Sequence, residues 1–305
     1  MRGPCLKPLS LMNPLMAGLA LAAALWSTAV QAALPIEHWT TSRGTRVLFV
    51  RADAIPMLDV SIAFDAGSRY DPPGRKGLAG WVVGMLARGS DGLDEAAIAE
   101  LEADLGAIRG GSADDDRATV SMRMLASDKE RTASIDLLAR LVSRPTFPQA
   151  QLERERQRSL QSFRESLTKP EVIASRAFYP KVFGPHPYGA VGSEEDLQAI
   201  NRDELVRFHQ ARFGAANAVI SMVGAISREQ AQAIAEQLVK DLPQGSAAPA
   251  LPKSFRPGPA SSGSRTRPRR AIFWWAPRPS REAIRISSRC SSATIFWAEA
   301  VLSRV

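Results

Sequence analysis

The stretch "DVSIAFDAGSRYDPPGRKGLAGWVVGMLARGS" (Asp59–Ser90) combines a strand, a turn and a helix in direct succession. Val, Ile and Phe are enriched over Met57–Gly67, which predicts a strand. Gly, Pro and Asp crowd Gly67–Gly77, which predicts a loop. A helix follows over about Leu78–Ala87 and is closed by Gly89. This helix is apolar, yet it has no side chain that could hold a metal, move a proton or attack a bond.

The residues on either side predict a mixed domain. Strand patterns occur at Thr45–Arg51, Ala118–Leu125 and Asn217–Ile226. Helical patterns occur at Leu93–Gly106 (with Asp94 near its positive end), Lys129–Arg144, Pro148–Leu167, Pro170 to Pro180 or slightly past it, Ser193–Ile200, Asn201–Phe213 and Ser227–Pro243. Strands and helices mixed in this order predict one α+β domain, with the helices on one face of a sheet.

The charge of the chain is unevenly distributed. The formal net charge is +8 over 305 residues, but residues 251–305 hold 11 basic and 2 acidic side chains. Residues 33–250 hold 26 basic and 29 acidic side chains, a net charge of −3. The basic character therefore belongs to the tail, and a nucleic-acid-binding function for the whole protein loses its main support.

The first 32 residues have the layout of a secretory signal peptide. Arg2 and Lys7 precede the apolar run "PLMAGLALAAALW", and "VQA" ends at Ala32. We expect cleavage after Ala32 and a periplasmic or secreted protein, with a retained anchor as the alternative. Cleavage would remove Cys5 and leave Cys290 as the single cysteine, which cannot form an internal disulfide.

Several motifs resemble those of the insulinase/pitrilysin family of zinc metallopeptidases, which includes mitochondrial processing peptidase. They are "DVSIAFDAGSRYDPPGRKGLAG", "GMLARGS", "QLERERQRSLQSFRE", "FGPHPYGAVGSEEDLQAINRDELVRFHQARF" and "NAVISMVGAIS", in the family's order. The resemblance covers roughly 210 residues. It implies a mostly antiparallel sheet with helices packed on one face.

In that family the helix after the turn carries the motif H-x-x-E-H, in which two histidines bind zinc and the glutamate activates water. A distant glutamate completes the metal site. Here Gly80 and Gly84 occupy the histidine positions and Val83 the position of the base. The distant ligand aligns with Ser162, or with Gln161 if the alignment shifts by one residue. The resemblance therefore implies no catalytic residue, no metal ligand and no cofactor, although active relatives use zinc.

Other candidate sites are weaker. His38, His186 and His209 lie in different predicted elements without metal-ligand spacing. Asp114–Asp116 lacks the glutamate that closes a calcium-binding loop, so we interpret it as a solvated turn. The alternating charges of Glu153–Arg158 predict a solvent-exposed helix face. Within it, Glu155 matches a glutamate that supports the metal ligands in relatives.

The chain changes character after Gly245. Residues 246–270 read as a linker rich in Pro, Ser, Gly and Arg. We interpret residues 271–305 as the truncated start of a second domain, with an out-of-frame reading as one explanation for their Arg, Ser and Trp. The alternative is that this tail binds nucleic acid or an anionic membrane through Arg265, Arg267, Arg269, Arg270, Trp274 and Trp275.

These patterns predict a non-catalytic subunit. We expect residues 33–245 to form one half-domain that pairs with a zinc-bearing family member and encloses a peptide, with no nucleic acid and no membrane beyond the signal peptide. Two alternatives stay open: a zinc peptidase with unrecognised ligands, and a truncated remnant without function.

Overall fold

The computed structural model describes residues 35–245. The predicted signal peptide (1–32), the linker (246–270) and the predicted start of a second domain (271–305) lie outside the described residues. Within the described range, no helix has the length and apolar character needed to cross a membrane.

The described residues form eight strands and eight helices. The strands are β1 (Glu37–Thr40), β2 (Arg46–Arg51), β3 (Met57–Phe64), β4 (Gly89–Ser90), β5 (Leu93–Asp94), β6 (Ile108–Ala113), β7 (Ala118–Leu125) and β8 (Ala218–Gly224). The helices are α1 (Leu78–Met85), α2 (Glu95–Asp104), α3 (Asp128–Ser143), α4 (Gln149–Ser166), α5 (Pro170–Phe183), α6 (Glu194–Ala199), α7 (Arg202–Arg212) and α8 (Arg228–Val239).

Six strands form one sheet in the order β1-β2-β8-β3-β7-β6, and β4 pairs with β5 separately. Only the pairing of β2 with β8 is parallel; the other pairings of the described strands are antiparallel. The predicted α+β class with a mostly antiparallel sheet is therefore confirmed.

The two faces of the sheet differ in burial. Along β3, Leu58, Val60, Ile62 and Phe64 are fully buried, and the residues between them are half-buried. Helices α1 and α3 pack against β7, and α8 packs against β2. The opposite face, which we call the open sheet face, has no such helices among the described residues. It presents Leu48, Leu125 and Val223, each more than a third exposed.

The sequence patterns missed strands at both edges of the sheet. β6 contains Gly110 and Gly111, which have low intrinsic strand propensity. Its backbone is nevertheless extended because it pairs in continuous register with β7. β1 is only four residues long, too short for a clear alternation.

The start of helix α2 also differs from the prediction. Helix α2 starts at Glu95, and Asp94 is its N-cap, whose carboxylate accepts a hydrogen bond from the Ala97 N–H at 2.8 Å. Asp94 therefore precedes the helix, whereas the sequence pattern predicted it inside the first turn. Helix α5 continues through Pro180 to Phe183, within the range that the sequence predicted.

Candidate functional site

Helix α1 has one buried face and one bare face. Its apolar side chains are buried in the core except for the half-buried Trp81, whereas Gly80 and Gly84 are exposed one turn apart. A Cβ atom built on either glycine would meet no heavy atom within 4 Å. The space beside these two glycines is therefore open, and no packing contact requires glycine at either position.

The start of α1 is held by a carboxylate from the preceding loop. Gly77 adopts a left-handed conformation (φ 101°) that suits glycine. The carboxylate of Asp71 accepts hydrogen bonds from the N–H groups of Gly77 (2.7 Å) and Ala79 (2.9 Å). Burial raises the pKa of Asp71 to about 6, although these two bonds and nearby Lys76 oppose the increase.

The same loop is fixed to the rest of the domain by a charged cluster. Arg69 forms ion pairs with Asp65 and Asp116, and the Tyr188 hydroxyl donates to Asp116. Burial, followed by the neighbouring Asp116 carboxylate, raises the pKa of Tyr188 to about 12. The Tyr188 N–H donates to His186 Nδ1 at 3.2 Å. The turn containing His186 and Tyr188 thus holds the loop that leads into α1.

The two candidates for the distant ligand lie exposed on α4. The side chain of Ser162 offers a single hydroxyl as donor and acceptor. The side-chain amide of Gln161 donates a hydrogen bond to the Glu165 carboxylate at 3.0 Å. Glu155 lies two helical turns before Ser162, on the same side of α4. Its carboxylate forms ion pairs with three arginines: Arg88, Arg154 and Arg158.

The side chains at these positions do not fit a zinc ion. The glycines at 80 and 84 offer no lone pair, and Val83 is a buried hydrocarbon beside Gly111. Within residues 35–245, no cluster of three or more His, Cys, Asp or Glu side chains has the arrangement of a metal site. The assignment of Gly80, Val83, Gly84 and Ser162 to the former zinc site stays a prediction.

The three histidines lie in separate elements. His38 is exposed on β1, His186 caps the turn before Tyr188, and His209 is buried in α7. The Nε2 atom of His209 lies 2.9 Å from the carbonyl oxygen of Val142. Burial lowers the pKa of His209, and this hydrogen bond opposes the decrease.

The two acidic motifs also have structural partners. Asp114 accepts hydrogen bonds from the N–H groups of Asp116 and Arg117, both at 2.7 Å, as in a polar turn. On α4, Glu153 forms an ion pair with Arg156 one turn away.

Sequence reasoning missed Asp71 and Arg88. A search for helix caps inspects the residue directly before the helix, but Asp71 reaches the first turn of α1 across a loop. Arg88 follows α1 by three residues and carries no motif. Its pairing with Glu155 depends on how α1 and α4 are placed in the fold.

Comparison with known proteins agrees with this architecture. Residues 46–190 match the model described as "Insulinase (Peptidase family M16)". Residues 199–271 match the model described as "Peptidase M16 inactive domain". This chain belongs to the insulinase family. The resemblance that the motifs predicted is confirmed.

Two curated relatives illustrate the similarity. An uncharacterized zinc protease of Rickettsia bellii is 24% identical over 214 residues, which cover 68% of this chain and 52% of the relative. A probable mitochondrial-processing peptidase subunit beta of Arabidopsis thaliana is 24% identical over 203 residues, which cover 66% and 37%. The insulinase-family chain described here thus spans about half the length of the Rickettsia relative.

A solved structure has the same fold. The peptidase M16 inactive domain from Pseudomonas fluorescens superposes with a TM-score of 0.71 and 35% sequence identity. The match covers 73% of this chain and 55% of that one.

Proposed function

We propose that this chain is a non-catalytic insulinase-family subunit, which pairs with a zinc-bearing family member and encloses a peptide. The observation that carries the proposal is the bare face of α1. Gly80 and Gly84 stand where relatives carry two histidines, and both positions open onto free space. Helix α1 thus contributes to the core of the domain, whereas Gly80 and Gly84 on its exposed face have no side chain that could bind a metal.

The environment of Glu155 supports the loss of a metal. In relatives the equivalent glutamate supports metal ligands, as the family resemblance implies. Here its carboxylate is shared among Arg88, Arg154 and Arg158. The positive charge that would otherwise come from a metal site comes from arginines, which stabilise a carboxylate without any cofactor.

The open sheet face supports pairing. No helix of residues 35–245 packs against this face of the sheet. Leu48, Leu125 and Val223 are exposed there at 41%, 42% and 44%. Exposed apolar groups on a two-layer domain favour association with a second protein.

The leader-like first 32 residues support a periplasmic or secreted location for this subunit. Mass spectrometry of the mature N-terminus should find Ala33 first. An intact Met1 on a protein isolated from the cytosol would contradict export.

The test combines zinc content, peptide hydrolysis and light scattering on the purified chain. We expect no stoichiometric zinc and no chelator-sensitive hydrolysis from the chain alone. We also expect a mixed complex with a zinc-bearing family member, and self-association in its absence. A Leu48→Asp, Val223→Asp variant should lose the complex, whereas Lys129→Asp, which changes an exposed residue of α3, should keep it.

Each alternative has its own result. Chelator-sensitive hydrolysis by the isolated chain would favour a zinc peptidase with unrecognised ligands. A monomer that ignores every zinc-bearing family member would leave the pairing without support and favour a remnant.

A further inference from the structure

A polar groove lies away from α1, between the C-terminal parts of α3 and α8. Its volume is about 760 Å³, within the roughly 300–1,000 Å³ range of ligand pockets. The turn at Ser42 and Arg43 forms one wall, and Asp91 lies at another edge. Four acidic and four basic side chains line it, so its lining has no formal net charge.

Every acidic side chain of the groove has a partner. Arg144 binds Asp91 at 2.8 Å and Asp241 at 2.7 Å. The carboxylate of Glu236 accepts hydrogen bonds from the backbone N–H of Ser42 (2.8 Å) and from its hydroxyl (2.6 Å). The remaining carboxylate, that of Asp136, accepts from the side-chain amide of Gln237.

The basic side chains are not all paired. Among the residues that the structure describes, Arg140 and Lys240 have no hydrogen-bond or ion-pair partner for their side chains. The guanidinium of Arg43 donates from Nη2 to the carbonyl oxygen of Leu242, but its Nε is buried and lacks a partner in the described part of the chain. A buried donor without an acceptor costs about 1–3 kcal/mol. Arg69, Arg88, Arg156 and Arg228 have a buried Nε of the same kind, so Arg43 only adds to the argument from Arg140 and Lys240.

We propose that this groove binds a carboxylate-rich segment of a peptide. Arg140 and Lys240 would each meet a carboxylate, and an oxygen of the ligand would supply the acceptor that Arg43 Nε lacks. Arg144 offsets part of the negative charge of Asp91 and Asp241, which reduces their repulsion of an acidic ligand.

Size and polarity favour a peptide over a lone anion. A water molecule accounts for about 30 Å³, so a single small anion would leave most of the 760 Å³ unfilled. The Ser42 hydroxyl oxygen and the Gln237 amide oxygen can still accept hydrogen bonds from a peptide backbone. The competing explanation is that Arg140 and Lys240 only offset the negative ends of α3 and α8, near which they lie.

The experiment measures fluorescence anisotropy of labelled hexaglutamate with the full chain at low ionic strength. We expect Arg140→Gln, Lys240→Gln to raise the Kd about ten-fold or more, because two charge-assisted bonds are lost. The control is Lys129→Gln, Arg207→Gln, which removes the same charge from two exposed residues outside the groove. The basic residues of 251–305 contribute equally to all three proteins, so the comparison isolates the groove.

Hydrogen exchange supplies a local readout. Hexaglutamate should slow exchange of amides near the ends of α3 and α8 in the wild type but not in the groove variant, and hexaglutamine should have no effect. Equal affinities of the groove and control variants would overturn the proposal and favour the helix-end explanation. Inorganic phosphate that displaces the peptide at equal concentration would also overturn it, because the groove would then hold a small anion.

Discussion

The guanidinium of Arg88 lies beside the carboxylate of Glu155, with 3.3 Å between Nη2 and Oε1. Arg88 follows helix α1 and Glu155 lies on α4, so this ion pair joins the two elements on which the motifs predict the metal-ligand positions of active relatives. The pair is partly shielded from solvent and continues through Arg154 to Glu95. We therefore expect Glu155 to stabilise the fold through these arginines.

The first prediction tests this role. Glu155→Gln should lower the free energy of unfolding by about 0.5–1 kcal/mol, because three arginines lose a shared carboxylate in a partly exposed network. Urea denaturation measures the change. Ser162→Ala, an exposed change on the same helix, is the control and should be neutral within about 0.5 kcal/mol. A neutral Glu155→Gln would show that the arginines are satisfied elsewhere.

The second prediction concerns the glycines of α1. Gly80→Ala and Gly84→Ala should each raise the free energy of unfolding by about 0.5–1 kcal/mol, because alanine loses less backbone entropy in a helix and its Cβ meets open space. Gly224→Ala is the opposite case, since its Cβ would lie 2.3 Å from the Met57 carbonyl oxygen. It should destabilise strongly in thermal and urea melts. If Gly80→Ala or Gly84→Ala instead lowers the free energy of unfolding, another part of the protein packs against the bare face of α1.

The third prediction is a gain of metal binding. The combination Gly80→His, Gly84→His and Ser162→Glu should bind stoichiometric zinc, because the two histidines enter open space and the glutamate completes a three-ligand set. Metal analysis after dialysis measures the content. The histidine pair without Ser162→Glu should retain far less zinc. If zinc binds to the histidine pair with Gln161→Glu but not with Ser162→Glu, the position of the distant ligand on α4 is Gln161 rather than Ser162.

The fourth prediction is a pH dependence that originates at Asp71. Its pKa in the folded protein is about 6, above the value of 3.8 for the unfolded chain. The folded state therefore binds more protons between these values, and this contribution to stability falls as pH rises from about 4 to 6. The full effect is up to about 3 kcal/mol. Urea melts at several pH values should show that Asp71→Asn lacks this slope. An identical slope in the variant would assign the titration to another group.

The fifth prediction has the opposite sign. Burial lowers the pKa of His209 below the unfolded value of 6.5, so the unfolded chain binds the additional proton. This contribution to stability is present above pH 6.5 and is lost as pH falls below it. His209→Phe keeps the ring contacts with Phe147 and Phe213 but should remove the slope. An imidazole that titrates by NMR at or above pH 6.5 in the folded protein would contradict the expectation.

Much of the fold was predictable because its signals are local. The strand–loop–helix unit from Met57 to Met85 is predicted by apolar enrichment in the strand, turn residues in the loop and an apolar run in the helix. The capping boxes at Ser193, Asn201 and Ser227 confirm helix starts that short-range chemistry specifies. Edge strand β6 was missed because two glycines weaken its intrinsic pattern, and only pairing with β7 makes it a strand.

The sequence by itself determined the α+β class, the order of the elements and the absence of metal-binding side chains at Gly80, Val83 and Gly84. Residue identity suffices for the last point, because glycine and valine have no donor atoms in any conformation. Only the tertiary structure decided that the two glycines face open space, that Arg88 meets Glu155, and that Asp71 caps α1. These relationships join residues from separate segments, and long-range packing rather than local pattern brings such segments together.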